Sequence, residues 1–195
     1  MRKKSHISLA RYIVANTADE ELKKHKFSFY IGSVLPDCLP SFIYKRHEIT
    51  GTFPQVKKRM ERLIIGKKKR TLKRKRRYYM NLGEITHYVA DYFTYPHNHV
   101  YPGTMKDHCR YENRLKHELR HFLKTEEANK LTGQKNEQFV SLEALVEYIR
   151  QKHEEYLHNP LNTRHDILNI VQVNQRLVDG IAYLFQKNHR EHRLA

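Results

Sequence analysis

The sequence predicts an all-α fold, a compact single-domain bundle of about seven helices spanning residues 1–195. Three observations predict it. Only 7 Gly and 6 Pro occur in 195 residues, and long stretches are free of both. Apolar residues recur at helical spacing through most of those stretches. No internal repeat and no Gly/Ser-rich or Pro-rich linker divides the chain, and 195 residues suffice to bury one sizeable core.

The elements follow from their start and stop signals. Residues 5–16 form a first helix. Residues 19–34 form a second, ending before 36-PDCLP-40, where two prolines force an extended turn. Residues 52–65 form a third, with Pro54 tolerated in its first turn. A long helix covers about 71–95 and stops at Pro96. Another spans about 104–126. Residues 141–158 follow, capped by Ser141 and stopped before Pro160, and the last helix runs from about 163 to 187.

No run of 18 or more apolar residues exists, so nothing in the sequence reads as a membrane span. The start, MRKKSHISLARYIVANTADEE, carries positive charge, but Ser8, Arg11 and Asn16 interrupt its apolar residues. It reads as an amphipathic helix and not as a signal peptide. A cytoplasmic protein is therefore expected, with Cys38 and Cys109 as reduced thiols serving packing. No stable protein partner is evident.

Formal net charge is +16, and much of it is local. In 67-KKKRTLKRKRR-77 nine of eleven residues are basic; without them 28 basic residues face 21 acidic ones. Such a run is either a solvated segment or a patch for an anionic partner, membrane surface or nucleic acid. Charge alone does not choose between them. If the long helix extends back from His87, Lys73, Arg76 and Arg77 fall near the stripe of His87 and Asp91. Arg77 then lies about 15 Å from His87 along the axis, and Gly83 is a point where the helix can bend.

Helical phase locates the ionisable groups. With His108 at zero, Glu112 lies at about 40°, Leu115 at about 340°, Leu119 at about 20° and Phe122 at about 320°. A histidine and a carboxylate one turn apart thus share an apolar, inward face, where an unpaired carboxylate is costly. The preceding helix repeats the pattern. Its other directions are apolar, and one stripe carries Glu84, His87, Asp91 and Thr94. In the first helix His6 shares its face with Leu9, Ala10, Ile13 and Thr17.

One such pair is a satisfied core hydrogen bond or a metal site. Three inward histidines, two with a carboxylate at i+4, favour a divalent metal, because both groups reach one point above the same turn. His97 and His99 lie in the turn between the two ligand helices. Asp37 lies in another turn, followed by His47. A polynuclear zinc site accounts for all of them. A competing motif, 117-HELRH-121, fits the zinc-protease signature, but His117 and His121 lie about 180° and 220° from His108, towards solvent.

The segments 5-SHISLARYI-13, 31-IGSVLPDCLP-40, 45-KRHE-48, 86-THYVADYFTYPHNH-99 and 108-HCRYE-112 together resemble the zinc-dependent phospholipase C family. Single-strand-specific zinc nucleases share its general architecture. The resemblance runs from about Ser5 to Glu118. It implies an all-α fold around clustered zinc: Asp37, His47, His87 and Asp91 on a first ion, His97, His108 and Glu112 on a second, and His6 on a third bridged by Asp91. Two ions are expected, with a third at the His6 position. In secreted members the third ion also takes the free amine and carbonyl of an N-terminal tryptophan. There is no tryptophan here, and Met1 or a water would stand in. His99 is the substitute for His97 if the register shifts.

The resemblance implies a phosphodiester substrate, in the first place a phospholipid headgroup, cleaved by a zinc-activated water. Asp37 is then both ligand and general base, and Glu112 orients the water. Two other readings stand beside it: a single-strand nuclease on the same metals, and a zinc-stabilised basic binding protein without catalysis.

Overall fold

The computed structural model describes residues 1–38, 48–66, 71–133 and 137–194, with side chains as far as 190. Among these residues the chain is all α, as expected, with no strand. Nine helices occur in order: α1 (Lys3–Asn16), α2 (Glu20–Lys24), α3 (Lys26–Val34), α4 (Ile49–Ile65), α5 (Leu72–Tyr92), α6 (Met105–Phe122), α7 (Glu126–Gly133), α8 (Leu142–His158) and α9 (Thr163–Leu194). Two 3-10 turns, Leu35–Cys38 and Tyr95–His97, carry Asp37 and His97. No helix among the described residues is long and apolar enough to cross a membrane.

Several boundaries differ from the sequence expectation, each for a local reason. The expected 19–34 helix is two helices. Asp19 Oδ1 accepts from the backbone N–H groups of Glu21 and Leu22 to start α2, and His25 leaves helical geometry at φ −108°, ψ 20°. Helix α4 begins at Ile49, so Pro54 sits in its second turn and not its first. Helix α5 stops at Tyr92, and Pro96 opens the following 3-10 turn instead of ending the helix. Helix α6 ends at Phe122, and α7 is a separate element. Thr104 and Asp107 start α6 with a reciprocal capping box. Helix α9 runs past 187 to Leu194.

Helix α5 is the central element. Tyr79, Leu82, Ile85, Val89, Ala90 and Tyr92 are all buried, and no face of its second half reaches solvent freely. Each fully buried aliphatic or aromatic side chain contributes about 1.5–3 kcal/mol. Gly83 lies within the unbroken α5. It lets α3 approach: a Cβ at Gly83 would collide with the carbonyl oxygen of Phe29 and lie 2.8 Å from Ser33 N. Gly32 faces the backbone of Met80 in the same way. Two glycines therefore set the α3–α5 crossing, and that crossing delivers the Leu35–Cys38 turn to the end of α5.

Helix α9 closes the opposite side against α4 to α8. Its first turn carries Asp166, fully buried. The carboxylate accepts from Tyr156 Oη at 2.7 Å, Tyr111 Oη at 2.9 Å and the backbone N–H of Tyr95 at 3.0 Å. One side chain thus ties α8, α6 and the turn after α5 to α9. Burial pushes its carboxyl up to about 7 against the opposing pull of these three donors. Nearby, His153 Nε2 lies 2.9 Å from Asn98 Oδ1, and Asn98 Nδ2 donates to the carbonyls of Tyr92 and Thr94.

Two predictions concern this scaffold. Gly83→Ala should destabilise by about 2 kcal/mol or more, because the obstructing atoms are backbone. Differential scanning calorimetry should show Tm lower by about 4–8 °C, and a Tm within about 1 °C of wild type would show the crossing to be looser than described. Asp166→Asn should remove a pH-dependent contribution to stability. The folded pKa is raised, so the wild type binds more protons folded than unfolded, and its stability relative to Asp166→Asn should fall as pH rises from about 4 through 7. Denaturant midpoints at pH 5 and pH 8 check this; a pH-independent difference would mean that Asp166 titrates alike in both states.

Candidate metal centre

Three helices and two turns converge on one cluster. From α5 come His87 and Asp91, both with no solvent exposure. From α1 comes His6, 1 % exposed. Helix α6 presents His108 and Glu112, the Tyr95–His97 turn presents His97, and the Leu35–Cys38 turn presents Asp37. The i, i+4 spacings act as the helical phase requires: His87 Nε2 lies 3.3 Å from Asp91 Oδ2, and His108 Nε2 lies 3.2 Å from Glu112 Oε1.

Asp91 joins the two sides of the cluster. Its Oδ1 lies 3.3 Å from His6 Nε2 and accepts from the α-amino group of Met1 at 2.6 Å. Its Oδ2 faces His87 and lies 3.7 Å from His97 Nδ1. His87 Nε2 also lies 3.5 Å from Asp37 Oδ1. Glu112 Oε1 lies 3.1 Å from both His97 Nε2 and the Met1 amine. The rings of His6 and His87 stack with centroids 3.8 Å apart.

The donors are oriented from behind. His87 Nδ1 lies 2.9 Å from the carbonyl oxygen of Ser33, an acceptor only, so Nδ1 carries the proton and Nε2 offers its lone pair to the cluster. Ser33 belongs to α3, so this contact depends on the glycine-mediated crossing.

Electrostatics set the same state. Burial, helped by the neighbouring His87, lowers the His6 pKa to about 3, so this imidazole is neutral. Burial and the Met1 ammonium also lower His97. Burial alone would raise Asp91 and Glu112, but the Met1 ammonium and the surrounding histidines hold both below the usual carboxylate range. Burial alone would lower the Met1 amine, but Asp91 and Glu112 raise it to about 10. Neutral imidazoles and ionised carboxylates are the forms that bind metal.

Two triads have donor atoms close enough to share an ion: His6, His87 and Asp91, fully buried, and His97, His108 and Glu112, partly buried. One orphaned atom fits that use. His6 Nε2 is buried and lies 3.3 Å from Asp91 Oδ1, but makes no well-aligned hydrogen bond among the described residues. A buried ring nitrogen normally has one, and a cation would supply it. Mixed nitrogen and oxygen donors suit zinc.

Seven of the eight residues singled out from sequence thus lie in one place: His6, Asp37, His87, Asp91, His97, His108 and Glu112. His47 lies outside the described residues. His99 is exposed, as are His117 and His121 of the protease-like motif. Cys38 and Cys109 were expected to pack, and both are instead exposed, because the turn and helix that carry them point only their neighbours Asp37 and His108 inward. Of the expected basic run, Lys67 to Arg70 lie outside the described residues. Lys73, Arg74, Arg76 and Arg77 are exposed on the first turns of α5. Phase analysis did not find Ser33, which acts through its backbone, or Asp166, whose partners all lie on other elements.

No curated protein and no solved structure matches the chain. The family described as zinc dependent phospholipase C matches residues 5–162, extending past the motif-bearing segments through α8. The chain carries that family's fold and brings its histidines and carboxylates into one cluster, and it belongs to the zinc-dependent phospholipase C family.

Proposed function

We propose that the protein is a zinc-dependent phosphodiesterase of phospholipase C type that hydrolyses a phospholipid headgroup ester. The observation that carries this is Asp91, a fully buried carboxylate whose two oxygens face different histidine groups, as a bridging ligand requires. In this reading Asp37, His47, His87 and Asp91 hold one zinc, and His97, His108 and Glu112 a second. His6 and Asp91 hold a third, and the Met1 amine joins them only on giving up its proton. Bound zinc lowers the pKa of a coordinated water to about 7 and neutralises charge developing on phosphoryl oxygens.

The chain's own groups do the rest. Asp37 is 16 % exposed, at the edge of the buried cluster, and its carboxylate can take a proton from the attacking water. Glu112 is held by His97 and His108 in one rotamer and presents its remaining acceptor sites to orient that water. Ser33 holds the His87 ring, so the cluster keeps its spacing when a substrate arrives.

One observation favours a second reading, a single-strand nuclease. Arg62, Arg74 and Arg77 line a cleft of about 240 Å³ beside Tyr78 and Phe185, a combination of cations and rings that suits nucleotides. Zinc-loaded protein tested on phosphatidylcholine, acidic phospholipids and single-stranded nucleic acid separates the two, and preference for nucleic acid would overturn the phospholipid reading.

Elemental analysis after dialysis should find more than one zinc per chain, and a count near zero in zinc-supplemented protein would end the metal reading. Asp37→Asn should lower turnover of a chromogenic phosphodiester by about 10²–10⁴-fold with Tm little changed. Near wild-type turnover would remove Asp37 from its role. If zinc removal destroys the fold of a chain that never showed hydrolysis, the binding-protein reading replaces this one.

A further inference from the structure

We infer that the face formed by α1 and α3 is a docking surface for an anionic phospholipid membrane. The inference rests on the phospholipid reading above and names the surface that presents the substrate.

Helix α3 turns two large apolar side chains outward one turn apart. Phe27 is 71 % exposed and Ile31 is 55 % exposed. Isolated apolar residues at a surface need no explanation. One turn beyond Ile31 on α3, Val34 lines a cleft of about 440 Å³ together with Ile7, Lys3, Lys4, Arg11 and Arg120. Lys26 adds a fifth cation beside the Phe27 ring, 5.6 Å from its centroid. Among the described residues none of these five forms an ion pair with a carboxylate. The surface is therefore an apolar strip bordered by uncompensated positive charge.

Charge complementarity and apolar exposure together select the occupant. A single-stranded nucleic acid would meet the cations and stack a base on Phe27, but it would leave the aliphatic Ile31, Ile7 and Val34 without an apolar partner. An anionic bilayer takes both, since aromatic and aliphatic side chains enter the headgroup–acyl boundary while Lys and Arg meet phosphates and carboxylates. Position agrees with this. Helix α3 runs directly into the turn that carries Asp37, and α1 carries His6 between Lys3 and Ile7. The two helices that form this face thus also supply parts of the cluster, through His6, Ser33 and the turn that bears Asp37.

Vesicle sedimentation tests the inference independently of catalysis. Zinc-loaded Asp37→Asn protein, in which lipid is not consumed, is mixed with phosphatidylcholine vesicles or with mixed phosphatidylcholine–phosphatidylserine vesicles. Binding should favour the mixed vesicles and weaken with salt. Phe27→Ser with Ile31→Ser, and separately Arg11→Glu with Arg120→Glu, should each weaken binding to mixed vesicles about tenfold or more. Unchanged circular dichroism and Tm should accompany both, since all four residues are exposed. Three results would overturn the inference: no vesicle binding, equal binding by all variants, or retention of a single-stranded oligonucleotide by the arginine pair without lipid binding. A concentration-dependent dimer that the Phe27/Ile31 variant abolishes, with no vesicle binding, would assign the face to a second copy instead. Vesicle binding without hydrolysis by the wild type would sink the phosphodiesterase reading and leave this one; hydrolysis of a soluble diester without vesicle binding would do the reverse.

Discussion

Asp91 places a carboxylate with no solvent exposure between α1, α5 and the turn after α5, and a buried charge has to be answered where it stands. The structure answers it on both oxygens, with the Met1 amine and His6 on one side and His87 and His97 on the other. Glu112 meets the same amine from α6. The N-terminal end of α1, the C-terminal end of α5 and the N-terminal half of α6 must therefore come to one point. The order of packing in the bundle follows from that demand.

Two devices make the convergence possible. The first is the glycine crossing, where Gly32 and Gly83 let the α3 and α5 backbones approach closely enough for Ser33 to hold the His87 ring. The second is Asp166, which fixes the far side by gathering Tyr95, Tyr111 and Tyr156. Tyr95 and Tyr111 neighbour the turn and helix that present His97 and Glu112. Donors from different parts of the chain are thus braced from the side away from the cluster, so rigidity of the site is a property of the core.

The charge distribution divides the molecule. Three inward acidic side chains, Asp37, Asp91 and Glu112, gather at the cluster, a fourth, Asp166, braces the far side, and the excess of positive charge lies on the surface. Two groups of exposed cations stand out, on the first turns of α5 and on the rim of α1. The first includes the exposed Leu72, and the second lies on helices α1 and α3, which also supply His6 and Ser33 to the cluster. A net charge of +16 alone marks the protein as attracted to polyanions, and the exposed Phe27 and Ile31 are the feature on which the proposed choice of a lipid surface over a polymer rests.

Periodicity determined much of this protein. The inward faces of α1, α5 and α6, with His6, His87, Asp91, His108 and Glu112 on them, were legible because a side chain's direction on a helix depends only on its own phase. The outward direction of His117 and His121 was legible for the same reason. Turn residues carried no such phase. Asp37 and His97 were assigned through the family resemblance, and their place beside His87 and Glu112 depends on how α3 and α6 dock. The break at His25, the early start of α4 and the separate α7 also escaped the sequence, because caps and short breaks are decided by a few backbone hydrogen bonds. The exposure of Cys38 and Cys109, the proton on His87 Nδ1 and the Asp166 network were decided only by tertiary structure. Each depends on contacts between elements distant in the chain, and no local pattern encodes such contacts.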